Sequence, residues 1–527
     1  MNSVAKLGVL MARQIIKIDV RAIKSDIAKL KADVAVVGLF SNAPNTAFLG
    51  RLDAKLDGAI ARLKKIGDFK GTAGSSIFIY TRGKIAAERL LLIGLGEKQK
   101  VTVDTIRQAA AKAAFEAVNI KAKTLAVFRH NEFAKIDLEE LGQAIAEGIH
   151  FGGYRYDEFI TQQQDGRSTS LSAVIVGDTM ANVAKLNKGI KIGQIIGKAQ
   201  NFARTLANRP GNVINPLALA DEARKLARTT PRLSCKALDE KQMARLGMGG
   251  ILAVGGGSKT PPRLIVVRYT PTYRALGKLP TVALVGKAIT FDSGGINIKP
   301  GHGMDQMKLD KTGGIAVLAT IKAAAELKLP LNLYAVVPAA ENMPSGYSYR
   351  PGDIVKTYSG KTVEVLDTDA EGRMILCDGL AYARRLGCDI IVDIATLTGA
   401  CKVALGKYMA GLMSNDEQLR RALEKAAQTS GEKVWPMPSG EEYLGDMKSK
   451  VADLGNLAAG GSKFGDACNA AAFLGQFVGD ARWAHLDIAG VDCIEKPTGS
   501  AAEGASAFGV RLLATYLVNL VNKKDVK

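Results

Sequence analysis

Short apolar runs of strand length alternate along this chain with segments whose apolar residues recur at helical spacing. Val34 to Phe40 and Arg89 to Gly94 read as buried strands, and Val103 to Val118 as a helix. From about residue 200 the rhythm becomes regular: strands are expected at Leu264–Val267, Val282–Val285, Leu331–Val337, Asp389–Ile394 and Trp483–Ile488. Helices are expected at Gly314–Leu327 and Glu371–Leu386. Nearly continuous apolar strands separated by helices imply a sheet covered on both faces, with ligands beyond its carboxyl ends. Two stretches interrupt the pattern: the polar run Thr161 to Ser168, and Asn208 to Asn212 with Asn215-Pro216 behind it. The predicted organisation is a smaller N-terminal α/β domain (1–187), a linking helix (188–206) and a larger C-terminal catalytic domain (207–527) with a doubly wound mixed sheet.

Composition narrows the class. The 527 residues are 47% hydrophobic and 23% charged, which excludes general disorder. The longest uncharged stretch, Val34 to Gly50, contains Ser41 to Thr46, so no window approaches the ~18 apolar residues of a membrane span. Six cysteines form no CxxC pair, which predicts reduced thiols and a cytoplasmic setting. Met1 to Lys17 reads as a ragged start and not as a signal peptide. The four histidines, His130, His150, His302 and His485, lack HxxxH spacing, so any metal is expected on carboxylates.

The formal net charge of +20 is unevenly spread. Residues 1–100 carry 18 basic and 8 acidic groups and residues 201–300 carry 16 and 5, whereas residues 301–527 carry 25 and 27. Such an excess attracts nucleic acid or acidic surfaces, or lies solvated or buried in an oligomer. No Arg/Lys run of the kind seen in nucleic-acid arms is present.

Three segments carry candidate chemistry. Leu284 to Pro300 starts as a strand and ends in a glycine-rich loop, which puts Lys287, Asp292 and Lys299 at or beyond the strand's end. A lysine buried there is costly without a partner. Asp305, Met307 and Asp310 lead into Gly313-Gly314 and a helix, where Asp310 has a simple alternative as a helix-start residue. In Leu366 to Arg373, Asp369 and Glu371 lie two apart in extended chain and face one side. Asp292, Asp310, Asp369 and Glu371 together would repel one another unless divalent cations neutralised them. A histidine-free carboxylate set suits Mg, Mn or Zn, and the chemistry expected is metal-assisted hydrolysis of an amide, ester or phosphoester.

These segments, with Asp389 to Ala400 and Trp483 to Gly490, closely resemble the leucyl aminopeptidase family of dinuclear-metal exopeptidases. The likeness runs through nearly all of residues 200–520 and is weaker in the first 190, where Leu90 to Gly96 matches best. The resemblance implies two Zn or Mn ions: one on Asp292, Asp369 and Glu371, the other on Lys287, Asp292, Asp310 and Glu371. Lys299 would stabilise the oxyanion, and Arg373 would hold a bicarbonate that serves as general base. Asp310 would orient the substrate's free amine, while Met307, Thr396, Gly399 and the backbone of Leu397 would shape the pocket for the first side chain. It implies release of N-terminal, leucine-like residues from peptide substrates and assembly as a homohexamer. A nucleic-acid-binding regulatory role on the same fold is the alternative.

The chain departs from the family pattern at Asp367, where Asn is usual, at Asp466 and Asn469, where small residues are typical, and at Ala507, where Gly is usual. For Asp367 a turn role is favoured over an added charge beside the metal loop. The other three are expected near the pocket wall.

Overall fold

In the computed structural model, residues 16–43, 46–128, 136–161, 169–272 and 279–522 are described. The start of the chain and most of the polar run Thr161 to Ser168 lie outside these residues. The chain divides into two compact units, Met1–Asn201 with Ile494–Gly504, and Phe202–Cys493 with Ala505–Lys527.

The first unit contains β1 (Lys17–Lys24), β2 (Val34–Phe40), α1 (Ala47–Lys55), α2 (Ala59–Ile66), β3 (Ser76–Tyr80), β4 (Arg89–Gly96), α3 (Val103–Asn119), β5 (Thr124–Phe128), α4 (Leu138–Gly153) and β6 (Ser170–Gly177). Its sheet has the order β1-β6-β5-β2-β4-β3, parallel except for β3. Alternate residues of β2 explain its unbroken apolar run. Val34 and Val36 join Ile106, Ala110 and Ile145 in one core, whereas Ala35, Val37 and Leu39 join Leu49, Leu52 and Ile60 in another. The helix expected at 188–206 is longer, α5 (Met180–Asn208).

The second unit continues with α6 (Pro216–Thr229), β7 (Leu233–Leu238), α7 (Glu240–Leu246), α8 (Gly249–Gly255), β8 (Arg263–Tyr269), β9 (Thr281–Gly286), β10 (Ala288–Asp292), α9 (Thr312–Glu326), β11 (Asn332–Asn342), β12 (Ile354–Lys356), β13 (Thr362–Glu364) and α10 (Glu371–Arg385). Then follow β14 (Ile390–Ala395), α11 (Gly399–Leu405), β15 (Ala410–Ser414), α12 (Glu417–Ser430), β16 (Val434–Pro436), α13 (Glu441–Asp446), β17 (Leu454–Gly455), α14 (Asp466–Gly475), β18 (Arg482–Asp487) and, at the end, α15 (Val510–Asn522). The main sheet has the order β16-β15-β18-β14-β9-β11-β8-β7, with β10 beside β11. Strands β18, β14, β9 and β11 are parallel, whereas β15 and β8 run antiparallel to their inner neighbours. This is the mixed sheet expected.

Close approach fixes where α9 starts. A Cβ on Gly314 would sit 2.7 Å from Ala288 Cβ and from Val337 Cγ1, and one on Gly313 would sit 2.2 Å from the Ile394 carbonyl oxygen. Only glycine lets the helix lie this close to the sheet, and that contact holds Asp310, two residues before the helix, against the strand ends.

Ala507 has φ +52° and is fully buried. A left-handed alanine costs roughly 1–2 kcal/mol, and glycine's greater unfolded-state freedom takes back part of the relief. Ala507→Gly is therefore expected to stabilise the chain by about 1 kcal/mol, read as a higher melting temperature in calorimetry. An unchanged or lower melting temperature would contradict this.

Candidate metal centre

Strand β9 ends at Gly286 and its neighbour β14 at Ala395, so the residues that follow, Lys287 and Thr396, emerge side by side. The Lys287 amide donates to the Ile394 carbonyl at 3.2 Å. The side chain of Lys287 is buried, and its Nζ lies 2.8 Å from Asp310 Oδ1 and 2.7 Å from Glu371 Oε1. It also donates to the Thr396 carbonyl at 2.8 Å. The Thr396 hydroxyl donates to Asp310 Oδ1 at 2.6 Å.

Asp292 closes β10. Its Oδ1 accepts from the Gly294 amide and from Asn342 Nδ2, both at 2.9 Å, and its Oδ2 lies 2.9 Å from Lys299 Nζ. Lys299 also pairs with Asp369 Oδ1. Glu371 opens α10 and is buried. The structure therefore brings Lys287, Asp292, Lys299, Asp310, Asp369 and Glu371 into one network.

This network carries four carboxylates against two ammonium groups, and burial removes the water that would screen them. Burial first, and then the Asp292 charge, push Glu371 up to about 8 despite Lys287. Burial likewise lifts Asp310 to about 6, opposed by Lys287, and Asp369 is raised by burial and by Asp292. Both lysines are held above their ordinary range: burial works against their charge, and the surrounding carboxylates more than offset it.

The donor set fits divalent cations. Oxygens of Asp292, Asp369 and Glu371 lie within 4.8 Å of one another. Asp310 Oδ2 is buried with no hydrogen-bond partner. Glu371 Oε1 and Asp369 Oδ1 each meet a lysine amine as an ion pair. A buried carboxylate oxygen left without a partner, as Asp310 Oδ2 is, is costly, and metal coordination is one of the few ways to satisfy it.

The scaffold behind these residues has only a faint signature in the sequence. Asn342, at the end of β11, bridges Asp292 and the Thr368 carbonyl (3.0 Å), which Tyr349 also donates to at 2.8 Å. Thr368 Oγ1 donates to the Gly294 carbonyl at 2.6 Å and accepts from the Asn297 amide at 2.8 Å, tying the glycine-rich loop to the acidic loop. Asp487, at the end of β18, accepts from the Leu397 amide (3.2 Å), the Thr398 amide (3.1 Å) and the Thr398 hydroxyl (2.7 Å). A polar residue closing an apolar strand is the signal available for both Asn342 and Asp487.

The remaining candidates stand around the network. Met307 is half-buried on the turn Met304–Leu309 that leads into Asp310. Leu397 is half-buried, and Gly399 is exposed at the start of α11. The Met307 carbonyl accepts the Asp310 amide at 3.3 Å, which ties this turn to the network.

Arg373, buried on α10, pairs through Nη2 with Asp466 Oδ1 at 2.7 Å. Asp367 Oδ1 accepts the Asp369 amide at 2.8 Å, the turn role favoured from the sequence, while its Oδ2 faces Lys463 at 3.7 Å. Asn469 is buried, with Nδ2 donating to the Phe464 carbonyl at 3.2 Å. None of the six cysteines forms a disulfide. Among the described residues no helix is long and apolar enough to cross a membrane.

The catalytic-domain model of the cytosol aminopeptidase family matches residues 201–514, and its N-terminal-domain model matches residues 36–163. A probable cytosol aminopeptidase of Nitrosococcus oceani is 41% identical over 486 residues, covering 92% of this chain and 95% of that protein. One from Geotalea uraniireducens is 42% identical over 491 residues, covering 92% and 97%. Among solved structures, a mutant of tomato leucine aminopeptidase superposes with a TM-score of 0.87 at 32% identity, covering 97% of this chain and 99% of its own. The bottromycin maturation enzyme BotP in complex with Mn gives 0.80 at 34% identity, covering 93% and 100%.

Proposed function

The chain belongs to the cytosol aminopeptidase family and is a metal-dependent aminopeptidase, and from that premise we propose how its own residues divide the work. Asp292, Asp369 and Glu371 hold one divalent cation, and Lys287, Asp292, Asp310 and Glu371 hold a second, with Zn or Mn as the metal. The observation that carries this reading is the convergence of four buried or half-buried carboxylates on two lysine amines at the carboxyl ends of one sheet. When bound, such a pair lowers the pKa of a water and polarises a carbonyl.

The protein's side chains then have separable tasks. Lys287 would serve as a ligand only as a neutral amine, without the proton that Asp310 and Glu371 stabilise. Lys299, released from Asp292 and Asp369, presents its ammonium to the developing oxyanion of the substrate. Asp310, oriented by the Thr396 hydroxyl, steers the free α-amine. An internal peptide bond has no such amine, which accounts for exopeptidase action. Met307, Thr396, Leu397 and Gly399 line an apolar pocket for leucine-like residues, with a preference of only about 1–3 kcal/mol per methylene.

We further propose a cytoplasmic homohexamer, in keeping with the name of its relatives and with the resemblance stated above. The nucleic-acid alternative draws no support from the site or the family match, and the basic excess is left as surface charge.

The test removes and restores the metal. Chelated, dialysed protein is expected to release no leucine from leucyl amide, and Mn or Zn is expected to restore release, with light scattering giving a mass near six times the 55.8 kDa chain. Full activity in protein shown by elemental analysis to be metal-free would overturn the reading.

A further inference from the structure

Arg373 is the position to which the resemblance assigns a bicarbonate, yet in this chain its guanidinium already holds a carboxylate. Asp466 Oδ1 lies 2.7 Å from Arg373 Nη2, in a pair whose side chains are 3% and 14% exposed. Asp466 opens α14, where a carboxylate also suits the helix dipole. Its carboxylate nonetheless bonds to Arg373 and, among the described residues, to none of the helix's own amides.

The loop carrying Asp466 lies along the acidic loop. Lys463 reaches Asp367 at 3.7 Å and Asp466 reaches Arg373, so the two contacts straddle the ligands Asp369 and Glu371. On the same turn of α10, a Cβ on Gly372 would sit 2.8 Å from Lys287 Nζ, which puts this turn directly against the network. Nε and Nη1 of Arg373 are buried without a partner. Those two donors are open to an acceptor, but a free anion on them would share the guanidinium's single positive charge with Asp466, which already holds it. The charge that answers Arg373 in this chain is therefore the Asp466 carboxylate.

We propose that Asp466 is the resident anion of this site and takes the place of bicarbonate, so that the chain carries its own proton acceptor. The inference rests on the aminopeptidase reading above. The Asp466 carboxylate accepts the proton lost by the attacking water as the new O–C bond forms. The same proton passes to the amine nitrogen as the C–N bond breaks, so no co-reactant is consumed.

The test compares the metal-loaded protein with Asp466→Gly and Asp466→Asn in carbon-dioxide-free buffer, with and without millimolar bicarbonate. Turnover of leucyl amide and binding of 13C-labelled bicarbonate by NMR are both read. The unaltered protein is expected to turn over at the same rate in both buffers and to bind no bicarbonate. Asp466→Gly is expected to lose about 10²-fold without bicarbonate, to recover with it and to bind it. Asp466→Asn, which fills the space without the charge, is expected to be slow in both buffers.

Bicarbonate binding or stimulation in the unaltered protein would overturn the proposal. So would full activity of Asp466→Gly without bicarbonate, or a loss that bicarbonate does not restore. Should the glycine variant not fold, the unaltered protein and the near-isosteric asparagine variant decide the matter. Absence of all turnover in the unaltered protein would count against the aminopeptidase reading, while the binding measurement would still judge Asp466.

Discussion

Glu371→Ala is expected to abolish leucine release and to lower bound metal from two ions per chain. Glu371 is buried at the first position of α10, 2.7 Å from Lys287 Nζ, and its carboxylate is proposed to be shared by both ions. Removing a shared ligand should weaken both sites, and should cost more than the ~10–100-fold that loss of an outer hydrogen-bond partner costs in metal proteins. The fold should survive, because Lys287 keeps Asp310 and the Thr396 carbonyl as partners. Elemental analysis, circular dichroism and turnover on the same sample separate these effects. A variant that retains two ions and normal turnover would sink the ligand assignment.

Lys299→Met should leave metal in place and slow the chemistry. Lys299 is proposed to ligate nothing, and its amine pairs with Asp292 and Asp369. Its removal makes the cluster more negative, so metal affinity should hold or increase, because opposite charges attract more strongly where water is scarce. What is lost is a positive donor aimed at the developing oxyanion, and losing one such donor typically costs about 10²–10³ in kcat, or about 3–4 kcal/mol. The expected pattern is a large fall in kcat with little change in KM and with full metal content. A fall in metal content would instead make Lys299 a structural counter-ion, and an unchanged kcat would remove it from the chemistry.

Much of this protein follows from local sequence alone. A strand buried on both faces must be apolar at successive positions, so β2, β4, β9, β11 and β14 stand out as continuous runs. The margins of the sheet do not. β7 alternates half-buried with exposed residues over Leu233–Leu238, and β16 is only three residues long, so neither shows a run of strand length. Lys287 and Asp292 could be singled out because charged residues at the ends of apolar strands are expensive unless they meet a partner, and Asp369 and Glu371 because two acids stand together at the start of a helix.

Tertiary structure decided which residues those groups meet. Strand order depends on pairings between segments far apart in the chain, so the proximity of Lys287 to Thr396, or of Asp310 to Glu371, has no local signature. Asn342, Tyr349 and Asp487 read in the sequence as ordinary polar residues, and only folding turns them into the frame of the acidic loops. Asp466 shows the division most sharply. The sequence determined that an acid stands where small residues are typical, with nothing to say what it faces. The packing of α14 beside α10 joins it to Arg373, 93 residues away, because the buried guanidinium is stable only where the fold supplies its opposite charge.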